Sequence, residues 1–298
     1  MKVKRLLQKT ALAWLQLLFV TLLAANPANA AETFDHGLLW KIQGSGAAPS
    51  YLFGTMHSED PEVVRLPTAV QQAFDKSRGL TLEVVLDPQS LLAMTSGFML
   101  GDGSTLESHI GASLYKRVVS AMAVYGMPEV IVSTMKPWAV AVTLMTPPGE
   151  TGVVLDLHLY QRAVAAGKPV DGLETPLEQL SVFDELSESD QVALLKDTLD
   201  NLPDVQDMLD DLKNAYLARD LARLAAINDA AMRDSDPQLV ARFTNKLITR
   251  RNHRMAERMQ SRLRSGGRFI AVGALHLPGR DGLLRLLSQQ GYTLTRVY

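Results

Sequence analysis

The chain has 298 residues, of which 47% are hydrophobic and 21% charged, and its formal net charge is −2. These proportions are ordinary for a globular protein and exclude wholesale disorder. The mild negative charge gives no reason to expect nucleic acid or anionic lipid as a partner. Cysteine is absent, which excludes disulfide bonds and thiolate ligands, so any metal would be held by His nitrogen and by carboxylate or carbonyl oxygen.

Residues 1–30 have the layout of a secretory signal peptide. A basic start is followed by an apolar run from 10 to 24, and Ala28-Asn29-Ala30 supplies the small residues that a signal peptidase recognises. We therefore predict cleavage after Ala30 and an exported protein, periplasmic or secreted, with a formal charge of about −6 after removal of four basic residues. The alternative is a retained anchor, but the run is shorter than the roughly 20 residues that a span needs. No later stretch is long and apolar enough to cross a bilayer.

Short apolar runs predict strands near both ends of the chain. Runs at 38–43 and 51–54 are separated by a Gly/Pro turn and predict a hairpin. A short helix at 67–76 leads to a strand at 79–85, which carries a single carboxylate, Glu83. Further strands are predicted at 168–173, 268–275 and 292–298, with a helix at 281–290 before the last one.

The middle of the chain is mainly helical by its apolar spacing, at about 87–167 and again at about 175–265. Gly- and Pro-rich breaks interrupt it at 101–103, 126–128, 147–149 and 234–237. Two or three strands alone are only marginally stable, so the two ends of the chain must build one sheet. We predict a single α/β domain over 31–298, with a mixed central sheet built from both chain ends, packed by helices and carrying a large helical insertion.

Two strands end in the same motif. Gly54-Thr55-Met56-His57 ends the second strand, and Gly273-Ala274-Leu275-His276 ends the strand at 268–275. A histidine just past a strand lies at the rim of a sheet, where open α/β folds place their ligands, and a glycine allows a sharp turn or a close approach. One such motif is common by chance and its histidine is usually structural, but two copies with Glu83 between them indicate a site.

Several segments together form a more specific pattern than any one of them. They are YLFGTMH (51–57), the Glu83 strand, MKPW (135–138), LDLHL (155–159), GKPVDGLET (167–175), Arg251-Asn252 and VGALHLPGRDGLLRLL (272–287). On these residues the sequence resembles the TraB/GumN family, which includes the animal TIKI proteases, and the resemblance covers nearly all of the chain after residue 30. It implies an α/β core and a site made of the two Gly-x-x-His motifs and an acidic residue, but no particular substrate. The TIKI proteins are divalent-metal-dependent proteases, and the wider superfamily also includes erythromycin esterases and ChaN-type haem-binding proteins.

Two neutral imidazoles and one carboxylate suit Zn, Mn, Co or Fe, with positions left open for water. A metal held in this way lowers the pKa of bound water and polarises a carbonyl group, which supports hydrolysis. We expect His57 and His276 to be metal ligands. Glu83 is either the third ligand or the general base that takes the proton of the water, and the alternative for it is a structural ion pair.

Several other residues are secondary candidates. Glu174 is either a second acid or a partner of the helix start at Thr175, where Pro and Glu follow at favourable positions. Arg251 is a candidate for stabilising an oxyanion or a substrate carboxylate, and Asn252 beside it is a further catalytic candidate, although basic helical runs such as this one are usually solvated.

Two motifs from the resemblance carry weaker signals. Lys136 precedes Pro137 and Trp138 and is expected to open a helix whose tryptophan packs in the core, with a secondary role at the site. Asp156 and His158 are two apart, so on a helix they point to different faces and cannot ligate one metal together. His158 is expected to be structural.

We therefore expect an exported metal-dependent hydrolase that acts on peptide bonds of a peptide or protein substrate. The alternative is a non-catalytic metal- or haem-binding protein that uses the same pocket, and loss of Glu83 would then leave ligand affinity largely intact. A third possibility is a degenerate scaffold whose helical insertion recruits a partner protein and in which neither histidine matters.

Overall fold

A computed structural model describes residues 34–149, 151–232 and 244–298. The expected signal peptide and the break at 234–237 lie outside the described residues. Within them, six strands form one sheet in the order β4-β3-β5-β2-β1-β6. This confirms the predicted mixed sheet built from both chain ends. The strands are β1 (Leu39–Gln43), β2 (Ser50–Thr55), β3 (Gly79–Leu82), β4 (Val170–Gly172), β5 (Arg268–Gly273) and β6 (Thr293–Arg296).

The strand pairing brings the two Gly-x-x-His motifs side by side. β2 and β5 are parallel neighbours, with Thr55 opposite Gly273, and β3 pairs in parallel with both β5 and β4. β1 runs antiparallel to β2 and to β6. Because β2, β3, β4 and β5 are parallel, their carboxyl ends lie at one edge of the sheet, which is where open α/β sheets bind ligands.

Helices surround the sheet and fill the middle of the chain, as predicted from the apolar spacing. A π-helical stretch at Asn245–Thr249 runs directly into the helix Arg250–Ser265, and a 3₁₀ turn, Ala274–His276, follows β5. The helices in the described residues are α1 (Pro61–Val64), α2 (Thr68–Lys76), α3 (Pro88–Gly97), α4 (Leu106–Ile110), α5 (Ala112–Met122), α6 (Glu129–Val132), α7 (Pro137–Leu144), α8 (Leu155–Ala165), α9 (Pro176–Asp184), α10 (Glu188–Asp200), α11 (Leu202–Leu217), α12 (Leu221–Met232), α13 (Arg250–Ser265) and α14 (Leu283–Gln289).

Two apolar clusters hold these elements together. The first packs on the sheet, where Phe269 meets Phe53 and Phe74 at ring-centre distances of 5.9 and 5.4 Å. The second lies among helices around Trp138, whose ring stacks on Phe183 at 5.0 Å. Leu275, inside the second Gly-x-x-His motif, packs against both clusters. The motif therefore lies where the sheet and the helical part of the molecule meet.

In the part of the chain that the structure describes, no helix is long and apolar enough to cross a membrane.

Candidate functional site

His57 and His276 line the same cavity, which has a volume of about 170 Å³ and lies beyond the carboxyl ends of β2 and β5. The packing explains why the first of the two motifs begins with a glycine, Gly54. A Cβ atom on Gly54 would lie 2.8 Å from Leu277 Cδ1 and 2.9 Å from Ala274 Cα, closer than real Cβ contacts allow. Only glycine therefore lets the end of β2 approach the turn that carries His276.

Glu83 follows β3 and has both carboxylate oxygens engaged. Its Oε1 accepts a hydrogen bond from the Gly273 N–H at 2.6 Å and lies 3.5 Å from His276 Nε2. Its Oε2 accepts from Arg251 Nη2 at 2.8 Å and from Gln179 Nε2 at 3.0 Å. The carboxylate thus joins the second Gly-x-x-His motif to α13 and α9.

The electrostatic environment favours an ionised Glu83 and a neutral His276 at neutral pH. Burial opposes the charge of Glu83, yet Arg251 and the Gly273 N–H hold its pKa below the ordinary value, and protonation of His276 would lower it further. Burial lowers the pKa of His276 to about 4, with Arg251 adding to the effect and the Glu83 charge opposing it. A neutral imidazole beside a carboxylate anion is the state that metal ligation requires.

Asn252 fixes the orientation of the His276 ring. Its Nδ2 donates to the backbone oxygen of Asp281 at 2.8 Å, which turns Oδ1 toward His276 Nδ1 at 2.5 Å. Because an amide oxygen can only accept, the proton of the His276 ring lies on Nδ1, and Nε2 carries the lone pair. Both side chains are almost fully buried, with 0% and 1% of their surfaces exposed. The structure therefore places Asn252 behind the histidine.

Asp156 belongs to the site, although its spacing from His158 had argued against a shared role. It lies in the first turn of α8, where Oδ1 accepts from Thr55 Oγ1 at 2.8 Å and Oδ2 lies 3.4 Å from His57 Nδ1. Oδ2 is buried and accepts no hydrogen bond from the described residues. Burial raises the pKa of Asp156, and the charge of Glu83 adds to this while His57 opposes it. The local signal was an acid between two leucines in the first turn of the helix.

Arg251 and Glu174 form a buried ion pair behind Glu83. Arg251 donates to Glu174 Oε2 through Nε at 2.9 Å and Nη2 at 2.6 Å, and Glu174 also pairs with Arg254. The side chain of Glu174 is 0% exposed. The start of α9 is capped by Thr175 and Glu178 through a reciprocal capping box, so Glu174 is not needed there. Arg251 itself is buried and does not belong to a solvated face.

Two other candidates lie away from this cluster. Lys136 precedes α7 as expected, and Trp138 is fully buried. The amine of Lys136 pairs with Asp184 at 2.7 Å, and the same carboxylate oxygen accepts from Trp138 Nε1 at 2.8 Å. Lys136 therefore stabilises the helical cluster. His158 lines a separate surface cavity with Arg65 and Arg162.

The donor set suits a divalent metal, although the donors do not converge on one point. Among the described residues, no three His, Asp or Glu side chains are close enough together to form a ready-made metal site. Each histidine of the pair nevertheless has Nδ1 next to a side-chain oxygen, Asp156 for His57 and Asn252 for His276. This arrangement directs Nε2 to a metal in proteins that bind one.

Comparison with known proteins identifies relatives of this chain and its family. The chain is 26% identical to Metalloprotease TIKI2 of Danio rerio and 25% identical to Metalloprotease TIKI1 of Homo sapiens, in each case over 86% of the chain. It spans about three-fifths of the length of these relatives, 60% and 61%. No solved structure gives a significant match. Residues 38–296 match the model of the TraB/PrgY/gumN family. This range includes every residue of the site described above. The chain therefore belongs to the TraB/PrgY/gumN family.

Proposed function

We propose that this protein is a metal-dependent hydrolase that cleaves peptide bonds. The observation that carries the proposal is the pairing of β2 with β5, which brings His57 and His276 to one cavity, each with Nδ1 beside a side-chain oxygen. The similarity to proteins named metalloproteases supports the reaction class. Export to the periplasm or the medium is part of the proposal and follows from the signal-peptide layout of residues 1–30.

His57, His276 and Glu83 are the residues that would hold the metal, with Asp156 behind His57 at Nδ1. Imidazole and carboxylate donors suit Zn, Mn, Co or Fe. Such a metal supplies an activated water and polarises the carbonyl group of the substrate. Glu83 sets the charge of the centre, because Arg251 and the Gly273 N–H hold it as an anion.

The two site carboxylates have different roles. Both oxygens of Glu83 already accept hydrogen bonds, so Glu83 is suited to fix Gly273 and its histidine turn in position while contributing negative charge. Asp156 Oδ2 accepts no hydrogen bond from the described residues and lies beside His57 Nδ1, so it is the carboxylate oxygen that can accept the proton of that ring nitrogen. Asn252 and Arg251 act behind these groups and position His276 and Glu83.

The test combines metal content with peptide cleavage. The purified protein is stripped with a chelator, reloaded with Zn, Mn or Co, and incubated with a mixture of peptides whose products are identified by mass spectrometry. His57→Ala, His276→Ala, Glu83→Gln and Asp156→Asn are assayed beside His158→Ala, a histidine outside the site. We expect metal-restored cleavage in the wild type and in His158→Ala only.

Two results would contradict the proposal. Cleavage that persists in both His57→Ala and His276→Ala would show that the site takes no part in the reaction. Tight binding of metal or haem without cleavage, unchanged in Glu83→Gln, would favour the non-catalytic binding protein instead.

A further inference from the structure

Apolar side chains line much of the remaining wall of the cavity that contains the two histidines. Leu212 and Leu224, from α11 and α12, are 6% and 3% exposed and face it together with Met56, Ala274 and Leu275. None of these side chains belongs to the polar cluster around Glu83. The cavity is therefore larger and more apolar than holding a metal and a water would require.

The hydroxyl groups at the cavity wall are already used inside the protein. Tyr216 donates to the backbone oxygen of Gly54 at 3.0 Å, and Thr55 donates to Asp156 at 2.8 Å. A polar side chain entering the apolar part would lose its hydrogen bonds to water without replacing them, which is unfavourable. An apolar side chain would lose no hydrogen bonds, and its transfer out of water is favourable.

The volume of the cavity matches one medium-sized side chain. At about 170 Å³ it is close to an engineered apolar cavity of about 150 Å³ that binds benzene. Met56 and His57 also line a wider groove of about 400 Å³, which runs along α11 past Asp60 and Lys213. An extended chain lying in that groove can place one side chain in the cavity beside His57.

From these observations we propose that the cavity between the paired Gly-x-x-His motifs, α11 and α12 binds one leucine- or phenylalanine-sized side chain of a peptide substrate, adjacent to the cleaved bond. The inference rests on the proposed function and names its substrate class: peptides with a medium-sized apolar residue at that position. Leu212 and Leu224 are the residues that determine this specificity.

The experiment uses one cleaved peptide from the mixture, with the residues on either side of the cleaved bond changed in turn to Phe, Leu, Ser and Asp. At one of the two positions we expect kcat/KM for Phe or Leu to exceed that for Ser by roughly tenfold to a hundredfold, the value of burying one such side chain. Leu224→Trp, which fills the cavity, should reduce the Phe/Ser ratio about tenfold. The control Leu92→Trp lies on the exposed surface of α3 and should leave the ratio unchanged.

A second measurement does not depend on turnover. Fluorescently labelled peptides of one otherwise Gly/Ala sequence carry a single Phe, Ser or Trp, and their binding to the metal-free wild type is compared with binding to Leu224→Trp, after both proteins are shown to be folded by circular dichroism. If Leu224→Trp does not fold, Leu224→Ala takes its place, and we expect the enlarged cavity to move the preference from Phe to Trp.

The outcomes separate the two proposals. If the wild type cleaves no peptide with any metal, the proposed function fails, and preferential binding of the Phe peptide, lost in Leu224→Trp, still supports the cavity assignment. If peptides are cleaved with equal kcat/KM for Phe and Ser at both positions and the ratio is the same in Leu224→Trp, the cavity assignment is overturned while the hydrolase remains.

Discussion

Arg251 donates through Nη2 to Glu83 Oε2 across 2.8 Å, and the two residues are 168 positions apart in the chain. The same guanidinium pairs with Glu174 at 2.6 Å, so one cation pairs with two carboxylates in the interior, and Arg254 supplies a second cation to Glu174. Because a buried charge is costly unless it is paired, each member of this group depends on the others. The ion pairs thereby fix α13 to the carboxyl ends of β3 and β4, where the site is built.

The first prediction concerns this buried cation. Arg251→Leu leaves Glu83 and Glu174 without their shared partner, and we expect the free energy of unfolding to fall by about 3–5 kcal/mol. Urea denaturation followed by circular dichroism measures the change. Arg250→Leu, at the exposed neighbouring position, is the matched control and should change stability by less than about 0.5 kcal/mol. Equal effects of the two substitutions on the free energy of unfolding would show that the buried ion pairs of Arg251 contribute nothing to stability.

The second prediction concerns the glycine at the end of β2. In Gly54→Ala the new methyl group collides with Leu277 and with the backbone of Ala274, so we expect a loss of about 1–3 kcal/mol in the free energy of unfolding. Gly101→Ala is the control, because a Cβ atom there meets nothing within 4 Å. Both are compared by urea denaturation. A Gly54→Ala protein as stable as the Gly101→Ala protein would mean that the two Gly-x-x-His turns are less tightly packed than described.

The third prediction tests the support of His276. Asn252→Ala removes the oxygen that accepts the Nδ1 proton, so the ring loses its fixed orientation and we expect metal affinity to fall about 10- to 100-fold. The dissociation constant is measured by competition with a chromophoric chelator. Asn245→Ala, at an exposed position in the π-helical stretch, should retain the wild-type constant. Unchanged affinity in Asn252→Ala would separate His276 from metal binding.

The fourth prediction is a pH dependence outside the site. Burial, with the charge of Asp200 added, raises the pKa of Asp197 in α10 from 3.8 to about 6. The folded state therefore holds this proton more tightly than the unfolded chain, so stability is lost as the pH rises from 3.8 to about 6, and the loss stays constant above that. We expect Asp197→Asn to raise the melting temperature by a few degrees at about pH 8 and much less at about pH 4.

Thermal unfolding at the two pH values measures this difference. Asp207→Asn, at an exposed position on the neighbouring helix α11, is the control and should show no such pH-dependent gain. A gain for Asp197→Asn that is the same at both pH values would rule out ionisation of Asp197 as its cause.

Local patterns in the sequence were sufficient for the strands and for the paired motifs. Apolar runs ending in Gly-x-x-His identify β2 and β5, and the need to complete a sheet predicts that these distant strands meet, as their parallel pairing confirms. The carboxylate at the end of β3 was recognisable because a charged residue interrupts an otherwise apolar run. Such signals are local because strand and turn preferences depend on residues near one another in the chain.

The tertiary structure alone decided which other polar residues belong to the site. Asp156 reaches Thr55 across 101 positions of the chain, and Arg251 reaches Glu174 across 77. Helical spacing predicts which residues share a face of a helix, but not which part of the protein packs against that face. The sequence analysis therefore excluded joint metal ligation by Asp156 and His158, and it weighed a solvated basic helix face for Arg251. These polar groups pair with one another because they are buried, and their burial depends on packing against distant segments of the chain. The residue pattern within one segment does not predict that packing.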